Sequence, residues 1–93
     1  MRLSQEEIEI IKKTISQNFL EPIVYLFGSR LDDRKKGGDI DLYIISQDTE
    51  KLLQKKIKTI SQLERALHKP VDIVVHRDFD KTIEQEALKG ILL

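Results

Sequence analysis

Asp39 and Asp41 stand two residues apart at the head of an otherwise apolar run, Ile40 followed by Leu42-Tyr43-Ile44-Ile45. Side chains alternate across a strand, so the two carboxylates project to one side about 7 Å apart while Ile40, Leu42 and Ile44 point to the other, into a core. A nine-residue spacer separates this run from Gly28-Ser29, which directly follow a second apolar run, Ile23-Val24-Tyr25-Leu26-Phe27, of the kind that forms a buried strand. Glycine lets the backbone turn sharply and approach a ligand, and a serine after it offers both an N–H and a hydroxyl to a phosphate oxygen.

A third acid, Asp72, interrupts Val71-Asp72-Ile73-Val74-Val75. Burying an unpaired carboxylate costs several kcal/mol, so an acid there calls for a cation, a hydrogen-bond network or an exposed strand end. If this strand lies beside the Asp39 strand, the three acids form a cluster. Such carboxylates can bracket two hard cations roughly 3.5–4 Å apart, and magnesium, with its preference for oxygen ligands, is the natural occupant. Each piece also has a plainer reading: Asp-x-Asp as a polar strand start, Gly-Ser as a turn that ends a strand, Asp72 as an exposed strand-start acid.

The rest of the chain supplies a frame for these strands. Ser4 and Glu7 form a capping-box pattern, and Ile8, Ile11, Ile15 and Phe19 recur at helical spacing, which predicts a helix from about Gln5 to Asn18 that Pro22 terminates. Residues 29–36 suit a short helix whose N-terminus favours phosphate, closed by Gly37-Gly38. A longer amphipathic helix is expected after Asp48 or Thr49 as cap, with Glu50 in its first turn, Leu53, Ile57, Ile60, Leu63 and Leu67 on its inner face, and His68-Lys69-Pro70 at its end. Asp80 is a candidate cap for a last helix carrying Ile83, Ala87 and Leu88, with Gly90 at its close.

At 93 residues the chain is expected to be one domain, residues 1–93, burying somewhat over 60% of its unfolded surface. Sixteen basic and sixteen acidic residues leave no net charge, which argues against tight, sequence-independent binding to long nucleic acid. The absence of cysteine excludes disulfides and thiolate metal sites. With no apolar stretch of eighteen residues, and with Met1-Arg2-Leu3-Ser4-Gln5-Glu6 unlike a secretion signal, a cytoplasmic location without membrane insertion is expected.

Gly28-Ser29, the nine-residue spacer, Asp39-x-Asp41 and the later Asp72 resemble the nucleotidyltransferase superfamily related to polymerase beta, and the small size resembles its minimal nucleotidyltransferases. The resemblance runs from Ile23 to Gly90-Ile91-Leu92-Leu93, which look like those proteins' final helix turn and short strand. It implies a small α/β (α+β) fold, a mixed sheet of three to four strands against helices in the order αβ(α)βαβα(β). It implies phosphate binding at Gly28 and Ser29, and two Mg2+ ions held by Asp39, Asp41 and Asp72 as catalytic acids. The spacer departs from relatives in lacking a small residue and glycine after Gly-Ser and in ending in glycine where many have serine. Arg30, with Arg34, Lys35 and Lys36, stands where positive charge neutralises a triphosphate, or else belongs to a solvated loop balanced by Asp32 and Asp33.

The implied reaction is transfer of a nucleoside monophosphate, AMP from ATP or another nucleoside triphosphate, to a hydroxyl. Minimal nucleotidyltransferases of this kind pair with a small helical HEPN-type protein encoded beside them, a toxic RNase, and act as antitoxins by adenylylating a partner tyrosine. The competing class is a non-catalytic module that neutralises its partner by contact, for which Ile10, Leu20 and Leu93 are candidate surface positions. Modification of a small molecule fits less well, since no acceptor-binding lobe is present. His68 at a helix end complements the helix dipole. His76 is a weak candidate for phosphate, and Tyr43, sharing the acids' face, is expected to pack with a wet hydroxyl or to stack on a base.

Overall fold

A computed structural model describes residues 3–27, 39–47, 50–76, 85 and 87–93. Helix α1 (Gln5–Asn18) starts at Ser4, whose hydroxyl accepts the Glu7 N–H while the Glu7 carboxylate accepts the Ser4 N–H, each at 3.1 Å. This is the reciprocal cap its sequence predicts. Strands β1 (Ile23–Phe27) and β2 (Ile40–Ile45) run antiparallel, helix α2 (Leu52–Leu67) crosses over, and β3 (Val71–Val75) returns parallel to β2. A two-residue β4 (Ile91–Leu92) pairs antiparallel with β1, so the sheet order is β3-β2-β1-β4. Among the described residues this is the expected α+β architecture, a mixed four-stranded sheet packed against α1 and α2.

The parallel β2–α2–β3 unit requires a crossover helix, and side-chain hydrogen bonds fix α2 near its C-terminal end and at its middle. Near its finish, Glu64 Oε2 accepts the Val71 N–H at 2.9 Å, and the Pro70 carbonyl accepts the Ile40 N–H at 2.9 Å. Against α1, the buried Thr59 hydroxyl donates to the Lys55 carbonyl at 2.7 Å and accepts from Asn18 Nδ2 at 2.9 Å. Across the molecule Lys69 Nζ meets Glu7 Oε2 at 2.7 Å, tying the start of α1 to the residues just before β3.

One face of the sheet packs Val24, Leu26, Ile40, Leu42, Ile44, Val71 and Ile73 against Ile11 and Ile15 of α1 and Leu63 and Leu67 of α2. Tyr43 and Ala87, also fully buried, lie outside that cluster. Gly90 is a site of close approach: a Cβ there would collide with the Leu26 carbonyl oxygen, so only glycine lets the chain reach β4 beside β1.

Three expectations for α2 are corrected. The helix begins at Leu52 with Lys51 in the cap position, in left-handed conformation at φ 56° and without a side-chain cap; Asp48 and Thr49 lie outside the described residues. Glu50 precedes the helix, leaving no acid in its first turn. Leu53 and Ile57 are 67% and 59% exposed rather than inward. Ile60, Leu63 and Leu67 face inward as expected, and the buried stripe also takes in Thr59, whose hydroxyl is hydrogen-bonded to Lys55 and Asn18 and so can be buried against α1. The short helix over 29–36, Asp80 and Ile83 lie outside the described residues; Ala87 and Leu88 are helical.

Candidate functional site

The acids meet through strand register. Asp41 is paired with Phe27 on one side and with Asp72 on the other, in the middle of three hydrogen-bonded strands. Directly opposed residues share a face, and neighbouring strands lie about 5 Å apart. Asp39 stands just before β2, two residues from Asp41 and therefore on the same face. The strands' N-terminal ends thus collect three carboxylates, two from successive positions of β2 and one from parallel β3. The last residue of β1, Phe27, lies opposite Asp41, and Gly28, Ser29 and Arg30, which follow it, lie outside the described residues.

The electrostatics reflect this crowding. Asp41 is half-buried, and its pKa is raised first by burial, then by the negative charges of Asp72 and Asp39. Desolvation and like charges both disfavour an ionised carboxylate. Asp72 is exposed, and its Oδ1 accepts the N–H of Ile73 at 3.0 Å, which turns one carboxylate oxygen toward its own strand. Among the described residues, no three acidic or imidazole side chains already converge as a metal cage. In chemistry the donor set nonetheless suits a hard divalent cation: all oxygen, anionic and mutually repelling, so that a cation relieves the repulsion that raises the Asp41 pKa.

Further along the same face, Tyr43 is fully buried and its hydroxyl lies 3.0 Å from His76 Nδ1. The Tyr43 ring is 6.2 Å from that of Tyr25 and meets the imidazole edge-on. Tyr43 therefore packs as expected, with an imidazole beside its hydroxyl in place of the expected water, and the base-stacking alternative gives way because the ring is fully buried. No local pattern announces this contact: the two residues stand 33 positions apart, and parallel pairing of β2 with β3 is what joins them. His68 is the exposed C-cap of α2, at the negative end of the helix dipole as its position suggested.

Comparison with known proteins adds two findings. The sequence profile of the family described as Polymerase beta, Nucleotidyltransferase matches residues 9–93. Among solved structures, the chain is similar to tri-AMPylated Shewanella oneidensis HEPN toxin in complex with MNT antitoxin. The TM-score there is 0.74 at 25% identity, covering 95% of this chain and 68% of that one. A toxin–antitoxin structure with AMP-PNP shares the fold at TM-score 0.75 and 24% identity, over 95% and 69% of the two chains. A mutant of the toxin–antitoxin MntA-HpeT aligns at TM-score 0.72 and 25% identity, over 90% and 67%. No curated protein matches by sequence.

Proposed function

Because this chain belongs to the polymerase beta nucleotidyltransferase family, we propose that it transfers AMP from ATP to a tyrosine hydroxyl of a helical HEPN-type partner and thereby acts as its antitoxin. The observation that carries the reading is the gathering of Asp39, Asp41 and Asp72 at one end of the sheet, where burial and mutual repulsion raise the Asp41 pKa. The choice of acceptor draws support from the likeness to the complex of AMPylated HEPN toxin with MNT antitoxin.

In this reaction a bond forms between the acceptor oxygen and the α-phosphorus, the bond to the bridging oxygen breaks, and pyrophosphate departs. Asp39, Asp41 and Asp72 would hold two Mg2+ ions, which supply charge neutralisation at the phosphate oxygens when bound. Asp72, at the open edge of the three acids, takes the acceptor proton. Gly28, Ser29 and Arg30 hold the β and γ phosphates and balance the charge of the leaving group. The strands contribute rigidity: acids fixed by β-pairing reorganise little as charge develops, and most of the catalysis is positioning and charge neutralisation. The chain acts as one catalytic domain in the cytoplasm, where ATP is at hand; no helix of the described residues is long and apolar enough to cross a membrane.

The test is co-expression with the protein encoded beside it, incubation with Mg2+ and each nucleoside triphosphate, and intact mass spectrometry of both chains. The expected result is a partner mass gain of one or more AMP units that Asp41→Asn abolishes. A partner that co-purifies but gains no mass under any nucleotide would make the chain a contact module instead.

A further inference from the structure

Strand β3 stands at one edge of the sheet, and its pairing with β2 fixes which way its backbone groups point. The His76 N–H reaches the Ile44 carbonyl at 2.8 Å, and the Pro70 carbonyl accepts the Ile40 N–H at 2.9 Å. Even-numbered residues of this segment therefore turn their N–H and C=O groups toward β2, and Val71, Ile73 and Val75 turn theirs outward. An edge of this kind is a template for one more strand, and proteins blunt it with charged side chains.

Two carboxylates cap this one. Glu64 of α2 accepts the Val71 N–H at 2.9 Å, closing the edge where β3 begins. Asp72 accepts the Ile73 N–H at 3.0 Å with its own Oδ1. The second cap has another task, because Asp72 lies opposite Asp41 in the acid cluster and is exposed at its outer side. A carboxylate oxygen held on an edge N–H is not available to an acceptor hydroxyl. Among the described residues, no strand pairs with β3 on its outer side.

We infer that the outer edge of β3 is where the acceptor polypeptide docks, as an added antiparallel strand that carries its tyrosine opposite Asp72; this rests on the tyrosine-transfer reading. Directly opposed residues share a face, so this register sets the tyrosine on the face of Asp39, Asp41 and Asp72. The pair at Asp72 is the non-hydrogen-bonded kind, in which opposed side chains are closer. The residue before the tyrosine lies opposite Ile73 and exchanges two bonds with it: its carbonyl accepts the Ile73 N–H, and its N–H donates to the Ile73 carbonyl. Docking thus displaces Asp72 Oδ1 without leaving the Ile73 N–H unpaired, and the freed carboxylate oxygen meets the tyrosine hydroxyl. The acid is released by the substrate that needs it. Main-chain pairing supplies affinity in such a mode, and the shared face selects the side chain. An extended polypeptide is the matching occupant because a nucleic acid backbone has no ladder of N–H and C=O groups to offer.

The probe is a peptide of about nine residues, alternating threonine and valine around a central tyrosine with a lysine at each end, long enough to cover β3. It is titrated into the isotope-labelled full chain and followed by amide chemical shifts and hydrogen exchange. Saturable shifts centred on residues 71–76 are expected, with slowed exchange at Ile73 and Val75. N-methylation of the residue before the tyrosine should weaken binding at least tenfold, since it removes one ladder bond and blocks close approach. Asp72→Ala, which removes the competing cap, should bind the peptide about fivefold tighter while losing transfer. The inference is overturned if the N-methylated peptide binds equally well, if Asp72→Ala binds more weakly, if the shifts fall elsewhere, or if nothing saturates at millimolar peptide. Incubation of the same peptide with Mg2+ and ATP separates the two readings. Edge binding without a mass gain upholds the docking strand and counts against tyrosine transfer, whereas a mass gain without edge protection overturns the docking strand alone.

Discussion

Asp41 ionises against the fold. Its pKa is raised in the folded state by burial and by Asp72 and Asp39, so the charged form costs stability. The sign follows from linkage: the cost is fully present above the raised folded value and vanishes as pH falls below the ordinary carboxylate value, where the residue is neutral in both states. Asp41→Asn should therefore leave neutral-pH stability unchanged or raise it by up to about 1 kcal/mol, with the gain disappearing under acid; thermal unfolding at several pH values measures this. Millimolar Mg2+ should raise the melting temperature of the parent more than that of the variant, since binding to the folded state alone stabilises it. A variant that melts well below the parent at neutral pH would show that Asp41 holds the fold together. Its position among acids was legible from the alternation Asp39-x-Asp41 and the apolar run around Asp72. The Ile73 N–H that turns Asp72 was not, because it depends on a rotamer.

Glu7 shows the opposite sign and belongs to the pairing of α1 with the approach to β3. Its pKa is lowered, first by the hydrogen bond from Lys69 and then by that from the Ser4 N–H. The resulting stability is present above the unfolded value and is lost as pH falls through the depressed folded one. Glu7→Gln keeps the capping geometry but loses the ion pair, and should cost about 1 kcal/mol at neutral pH and little in acid; a urea titration at two pH values separates these cases. At the closing strand, Gly90→Ala should cost about 2 kcal/mol or more, because the obstructing atoms are the backbone of Leu26 and cannot rotate away. Unfolding by urea tests it, and an unchanged midpoint would mean that β4 detaches freely. The capping box and all three long strands could be read from local pattern. The inner face of α2 could be read at Ile60, Leu63 and Leu67 but not in its first two turns, since Ile57 and Thr59 are two residues apart and hydrophobicity alone favours the wrong one.

Charge balance and topology are properties of the entire chain. With sixteen charges of each sign, long duplex DNA at about 150 mM salt should give no saturable binding below about 100 μM, which fluorescence anisotropy would test. Tight binding there would mean that the lysines of α2 serve phosphates. Order and type of the main elements were legible because α1 carries a 3.6-residue period, β1 and β3 are short apolar runs, Asp39-x-Asp41 marks the alternation of β2, and each element has its own stop signals. Three acids set in apolar runs likewise pointed to a shared cation, since a carboxylate is costly to bury without a counter-charge and neighbouring carboxylates repel one another. Parallel pairing of β2 with β3, which sets Asp41 beside Asp72 and Tyr43 within reach of His76, emerged only on folding. So did the exposure of Leu53 and Ile57. Periodicity says that a residue is apolar and which stripe it shares, but whether that stripe meets a neighbour depends on how far α1 and β3 extend beneath the helix, and such contacts join residues too distant in sequence for any local pattern to encode.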